Sequence, residues 1–166
     1  RLVYALLVLD MKLGGSGDVE GSWPGNDTLW RTCLDLNRLL LYADEQGRLG
    51  SQPARAEINV VDAIVAGEGE GPLKPEPAGM GFILAAANPA AMDWTAAWLM
   101  GFDPLKIPIV SNAFSLDDKP IASFDAKDIE WMVDGSKRGL DALPKAPRSV
   151  RPSAGWKGWL ERKTPA

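Results

Sequence analysis

The 166-residue chain has no histidine and one cysteine, Cys33. Without histidine it cannot build Ser-His-Asp or Cys-His nucleophile systems, or zinc sites of the usual nitrogen and sulfur kind. A lone thiol excludes an intramolecular disulfide and a cysteine-held cluster, so no iron–sulfur cluster or haem is expected in this chain. Any metal bound here has to be a hard cation on oxygen ligands, such as Mg²⁺, Mn²⁺ or Ca²⁺. The scarcity of cysteine fits a cytoplasmic protein. No apolar stretch reaches the roughly 18–20 residues of a membrane span.

What is present is ordinary for a globular protein: 46% hydrophobic and 24% charged residues. The chain enters an apolar run, residues 2–9, directly after Arg1. This points to the C-terminal part of a longer protein. The net charge of −4 is unevenly spread. Residues 1–134 carry 10 basic and 20 acidic groups, whereas residues 135–166 carry 8 and 2. The acidic body argues against nucleic acid as a partner. The basic tail either folds back on that body or touches an anionic surface.

The organisation reads as one α/β domain over residues 1–134, followed by a basic, largely irregular tail over 135–166 packed on it. Residues 2–9 read as a buried strand, and a glycine-punctuated loop follows. Asn26 or Asp27 is the expected cap of a helix over residues 28–46. Residues 57–65 and 80–87 are apolar runs expected as buried strands, with a Gly- and Pro-rich loop over 67–79 between them. Asn88-Pro89 opens a helix to about residue 100, with Asn as cap and Pro at the first position. Residues 128–133 alternate as in a half-exposed strand. This order predicts a layered α/β fold with a mainly parallel or mixed central sheet flanked by helices. In such sheets ligands gather beyond the carboxyl ends of the strands.

Four constellations carry possible chemistry. In Gly67-Glu68-Gly69-Glu70-Gly71-Pro72, glycines permit close backbone approach, and in an extended segment Glu68 and Glu70 point to one side. They either chelate a cation, with one acting as a base, or only solvate a tight loop. The spacing is not that of a dinucleotide fingerprint. Asp62 interrupts an apolar run and needs a partner or a polar cavity. Asn88 and Asp93 read either as a helix cap and a dipole-stabilised carboxylate or as groups facing the glycine loop. Asp27, Arg31, Asp35 and Arg38 share a helical side, as in a salt-bridged face or an anion site. Trp94 and Trp98, one turn apart, are expected in the core, and Cys33 as a small buried hydrophobe.

The segments Asp62-Ala63-Ile64, Gly67 to Pro72, Ala87-Asn88-Pro89-Ala90-Ala91-Met92-Asp93, Leu99-Met100-Gly101-Phe102-Asp103-Pro104 and Ile107-Pro108 resemble the DUF362 family. This is a bacterial and archaeal family of uncharacterised domains, sometimes found with ferredoxin-type iron–sulfur modules. The resemblance implies an α/β domain with a site around Asp62, Glu68, Glu70 and Asp93, acting as catalytic groups or as metal ligands. Gly67, Gly69, Gly71 and Asn88 are the matching candidates for holding a small molecule. It also implies an upstream segment with Lys and His motifs, which this chain lacks, and a ferredoxin-type partner. The expectation is therefore an acidic, oxygen-rich pocket for a hard cation or polar small molecule. The alternative is a non-catalytic binding or redox-partner module without a metal of its own.

Overall fold

The computed structural model describes Leu9, Leu13 and residues 22–144 and 148–162. Of the apolar run expected as a first strand, residues 2–8 lie outside the described residues, as does most of the glycine loop after it. Leu9 is helical, with the Leu13 N–H donating to its carbonyl at 3.0 Å.

Asn26 starts the first long helix. Its Oδ1 accepts from the backbone N–H groups of Thr28 and Leu29, which satisfies donors that a helix start leaves open. Helix α1 (Leu29–Tyr42) then buries Leu34, Leu41 and Tyr42. It stops four residues before the expected end. Asp44 Oδ1 accepts from the N–H groups of Gln46 and Arg48, folding a tight turn that brings Ala43 opposite Leu49.

The chain next forms one long ribbon, β1 (Asn59–Glu70) and β2 (Lys74–Ala86), paired antiparallel from Asn59↔Ala86 to Glu70↔Lys74. A β-bulge interrupts the register between Ala63 and Val65. There Met80 and Gly81 both face Ile64, and Gly81 takes the positive φ of 73° that such a bulge asks of glycine. Helix α2 (Pro89–Leu99) follows directly, then the short α3 (Pro108–Asn112). A second ribbon pairs β3 (Glu130–Val133) with β4 (Ser136–Gly139). Asp134 and Gly135, both at positive φ, make its two-residue turn.

The expected parallel or mixed central sheet does not form. The described residues hold two separate two-stranded antiparallel sheets. The reason is connection length. Parallel neighbours need a crossover of about a dozen residues or more. Here the stretch read as a loop, residues 67–79, is mostly strand, and only residues 71–73 turn. The helices therefore flank ribbons, and no central sheet separates two layers.

Two apolar clusters hold these pieces together. One joins Leu34, Leu41 and Tyr42 of α1 to Ala90 of α2 and to Ala113, Ile121 and Ala122. Its only buried hydroxyl is satisfied, since Tyr42 Oη donates to the Pro120 carbonyl at 2.8 Å. The other joins Ala63 and Met80 of the long ribbon to Ala97 of α2, and to Phe102, Val150 and Leu160. Residues 160–162 run beside 101–103, with Asp103 N–H donating to Leu160 O and Arg162 N–H to Gly101 O. Trp94 packs edge-on against Phe114 at 5.5 Å, and the Arg162 guanidinium lies 3.8 Å over Trp98, so both tryptophans serve packing. Among the described residues no helix is long and apolar enough to cross a membrane.

Candidate functional site

The glycine–glutamate motif is the distal end of β1. Glu68 is held by Arg148, whose Nη2 donates to both carboxylate oxygens at 2.8 Å, and by the Arg151 backbone N–H at 2.9 Å. Glu70 accepts from the Ala154 N–H at 2.7 Å. The Gly69 N–H donates to the Arg151 carbonyl, and the Arg151 side chain bridges to Glu76 of β2. Both motif glutamates thus anchor residues 148–154 across the ribbon. A cavity of about 370 Å³ beneath is lined by Gly67, Gly71, Met100 and Trp156 among others.

The Arg151 backbone N–H, ahead of the Arg148 guanidinium, holds the Glu68 carboxyl below its ordinary 4.5. A depressed folded pKa stabilises the protein above the unfolded value, and that contribution is lost as pH falls through the folded value. Urea titrations of the native chain and E68Q should therefore differ at pH 7. The gap should close below the ordinary carboxylate range, and a gap that persists unchanged at pH 3 would refute the anchor.

Asp62 sits elsewhere. Its neighbours Val61 and Ala63 face the cluster that contains Ala97 of α2. Strand alternation therefore sends Asp62 out of the opposite face. There it is exposed, and its Oδ1 accepts from the Ile64 N–H at 3.1 Å. Asp93, on α2, keeps an exposed edge and has no hydrogen-bond or ion-pair partner among the described residues. Desolvation raises its carboxyl above the ordinary 3.8. Glu68 and Glu70 are brought together, but Asp62 and Asp93 join neither them nor each other. Among the described residues no three His, Cys, Asp or Glu side chains are grouped so as to hold a metal ion.

Asn88 is a cap twice over. Its Oδ1 accepts from the Ala91 N–H at 3.1 Å and its Nδ2 donates to the Ile121 carbonyl at 2.7 Å. Asn88→Ala should cost about 1–2 kcal/mol in chemical denaturation; an unchanged midpoint would refute this double role. The polar row on α1 is a solvated face, with Arg31 on Asp27 and Arg38 on Asp35 and Asp118.

A larger cavity lies away from the candidate carboxylates, and of the candidate residues only Asn88 lines it. It has a volume of about 820 Å³ between β2, α2 and β3, within the roughly 300–1,000 Å³ of small-molecule sites. Phe82 and Leu84 line it from β2, Met92 and Thr95 from α2, and Trp131 and Met132 from β3. Two features of the sequence carried a signal. Residues 82–85 are apolar on both faces of a strand, more than one buried face requires. Asp134-Gly135 marks a hairpin turn, which places a strand pair beside α2.

A model of the family described as "Domain of unknown function (DUF362)" matches residues 15–98. This stretch includes α1, the long ribbon and nearly all of α2. No curated protein and no solved structure matches the chain.

Proposed function

The chain belongs to the DUF362 family of domains of unknown function, and from that premise we propose that it is a binding module whose ligand occupies the apolar cleft between β2, α2 and β3. The observation that carries this reading is the cleft itself: about 820 Å³, with aromatic and aliphatic walls. Ile83 and Met132 on its walls remain 60% and 63% exposed. Water against such surface is released when an apolar ligand enters, at roughly 25 cal/mol per Å². Asp128 and Glu130 supply a polar rim.

A hard cation has no part in this proposal. Glu68 and Glu70 are engaged by Arg148 and by backbone N–H groups, and a metal would have to displace these partners. The test is a titration with Nile red, an uncharged apolar fluorophore. Saturable enhancement at one site per chain is expected for the natively folded protein. Absence of saturable binding would end the reading.

A further inference from the structure

The cleft runs along strand edges. Residues 82–88 line it without a break, as do residues 128–133, so both faces of each strand contribute. No residue of β1 or β4 lines it. It therefore sits at the edge of β2 turned away from β1, and at the edge of β3 turned away from β4.

Backbone direction follows from alternation. Pro75 and Pro77 of β2 have no N–H to give to β1, and the core-facing residues of β2 stay even-numbered from Ala78 and Met80 to Phe82 and Leu84, so odd-numbered residues of β2 turn their backbone groups away from β1 and even-numbered ones toward it. Ala63↔Phe82 and Val61↔Leu84 are then the pairs that exchange hydrogen bonds. Ile83 and Ala85 turn their N–H and C=O groups to the free edge. In the second ribbon the two-residue turn makes Val133↔Ser136 a bonded pair. Glu130 and Met132 are left facing outward. Apart from the strand ladders, none of these four residues' backbone groups has a backbone partner among the described residues. Pro75 and Pro77 occupy β2 nearer the turn, where missing N–H groups blunt the edge. The cleft end of β2 has no such protection.

Resting on the binding reading above, we propose that the occupant is a single extended apolar polypeptide segment with a basic residue near one end, which adds to β2 as a further strand. Unpaired backbone groups on an apolar wall are matched by another backbone, not by a compact small molecule. The basic residue is called for by charge. Asp128 lines the cleft with only the Asp125 N–H bonded to its carboxylate and the exposed Lys127 as a neighbouring charge, and Glu130 beside it has only the exposed Lys137.

The test uses the full chain and a random decapeptide display selection. The enriched peptides are then synthesised and titrated against protein loaded with the fluorophore. Expected are alternating apolar residues with Lys or Arg near one end, and displacement of the fluorophore. N-methylation at alternate backbone positions should weaken binding at least tenfold, and at the intervening positions little. Ala85→Pro, which removes one outward N–H, should weaken the peptide by a similar factor and leave fluorophore affinity within twofold. The N-methyl series stands even if that variant fails to fold. Fluorophore binding without any displacing peptide, or indifference to N-methylation, overturns the strand proposal alone. Failure of the fluorophore itself overturns the binding reading.

Discussion

Thr95→Trp is expected to lower the affinity for the apolar fluorophore at least tenfold, on the order of 1.4 kcal/mol, with little change in the unfolding midpoint. Thr95 lies on the α2 stripe that lines the cleft together with Asn88, Met92 and Leu99. An indole there projects into open volume, so it displaces ligand without forcing neighbouring side chains from their rotamers. The opposite side of α2 stays as it is, because Ala90 and Ala97 belong to the two core clusters. Isothermal titration of the native chain and the variant measures the effect. Equal affinities would place the probe elsewhere.

Leu34→Ala is expected to be the most damaging leucine truncation in α1, costing about 2–5 kcal/mol in urea denaturation. Leu34 is only 4% exposed and belongs to the cluster that also holds Tyr42, Ala90 and Ile121. A loss of that size is a large fraction of the 5–15 kcal/mol that holds a typical domain folded. Leu36→Ala, two residues away, is the control. Leu36 is 59% exposed, so its truncation should move the midpoint by well under 1 kcal/mol. Similar losses at the two positions would contradict the assignment of the buried face.

Local chemistry was legible wherever one residue decides it. Asn88-Pro89 starts α2 as the cap and first-turn preferences require, and the expected end near residue 100 matches Leu99 to within a residue. The start of α1 falls within a residue of the expected one, but the cap position is Thr28 and not Asn26 or Asp27; Asn26 accepts the Thr28 and Leu29 N–H groups from just before it. Pairing was not legible, because the glycines and prolines of residues 67–79 read as loop. Alternating glycines in Gly67-Glu68-Gly69-Glu70 leave the backbone free to extend. Pro75 and Pro77, two residues apart, aim both ring nitrogens to the outer edge of β2, where no ladder bond is lost. Mistaking that ribbon for a loop turned an antiparallel hairpin into two strands of an expected parallel sheet.

The carboxylates illustrate a further limit. Glu68 and Glu70 were read as a pair on one side of an extended segment; their partners lie some 80 residues away, in Arg148, Arg151 and Ala154. No local pattern announces such a contact. Asp62 and Asp93 looked adjacent only under the assumption that both strand ends open on one sheet edge. The cleft itself is lined by β2 and β3, strands more than 40 residues apart in the chain, and it was invisible for the same reason.

The chain also exposes apolar side chains away from the cleft. Leu29, Leu36 and Leu40 do so on α1, and Val60 and Ile64 on the outer face of the long ribbon. An apolar probe therefore has rival surfaces, and the decisive measurement is one of place. A spin-labelled apolar probe, followed by paramagnetic broadening of backbone amide signals, reports where it sits. Broadening concentrated on residues 82–88, 91–95 and 129–133 is the predicted result. Broadening centred on Leu36 and Leu40, or on Val60 and Ile64, with the cleft amides unaffected, would contradict it.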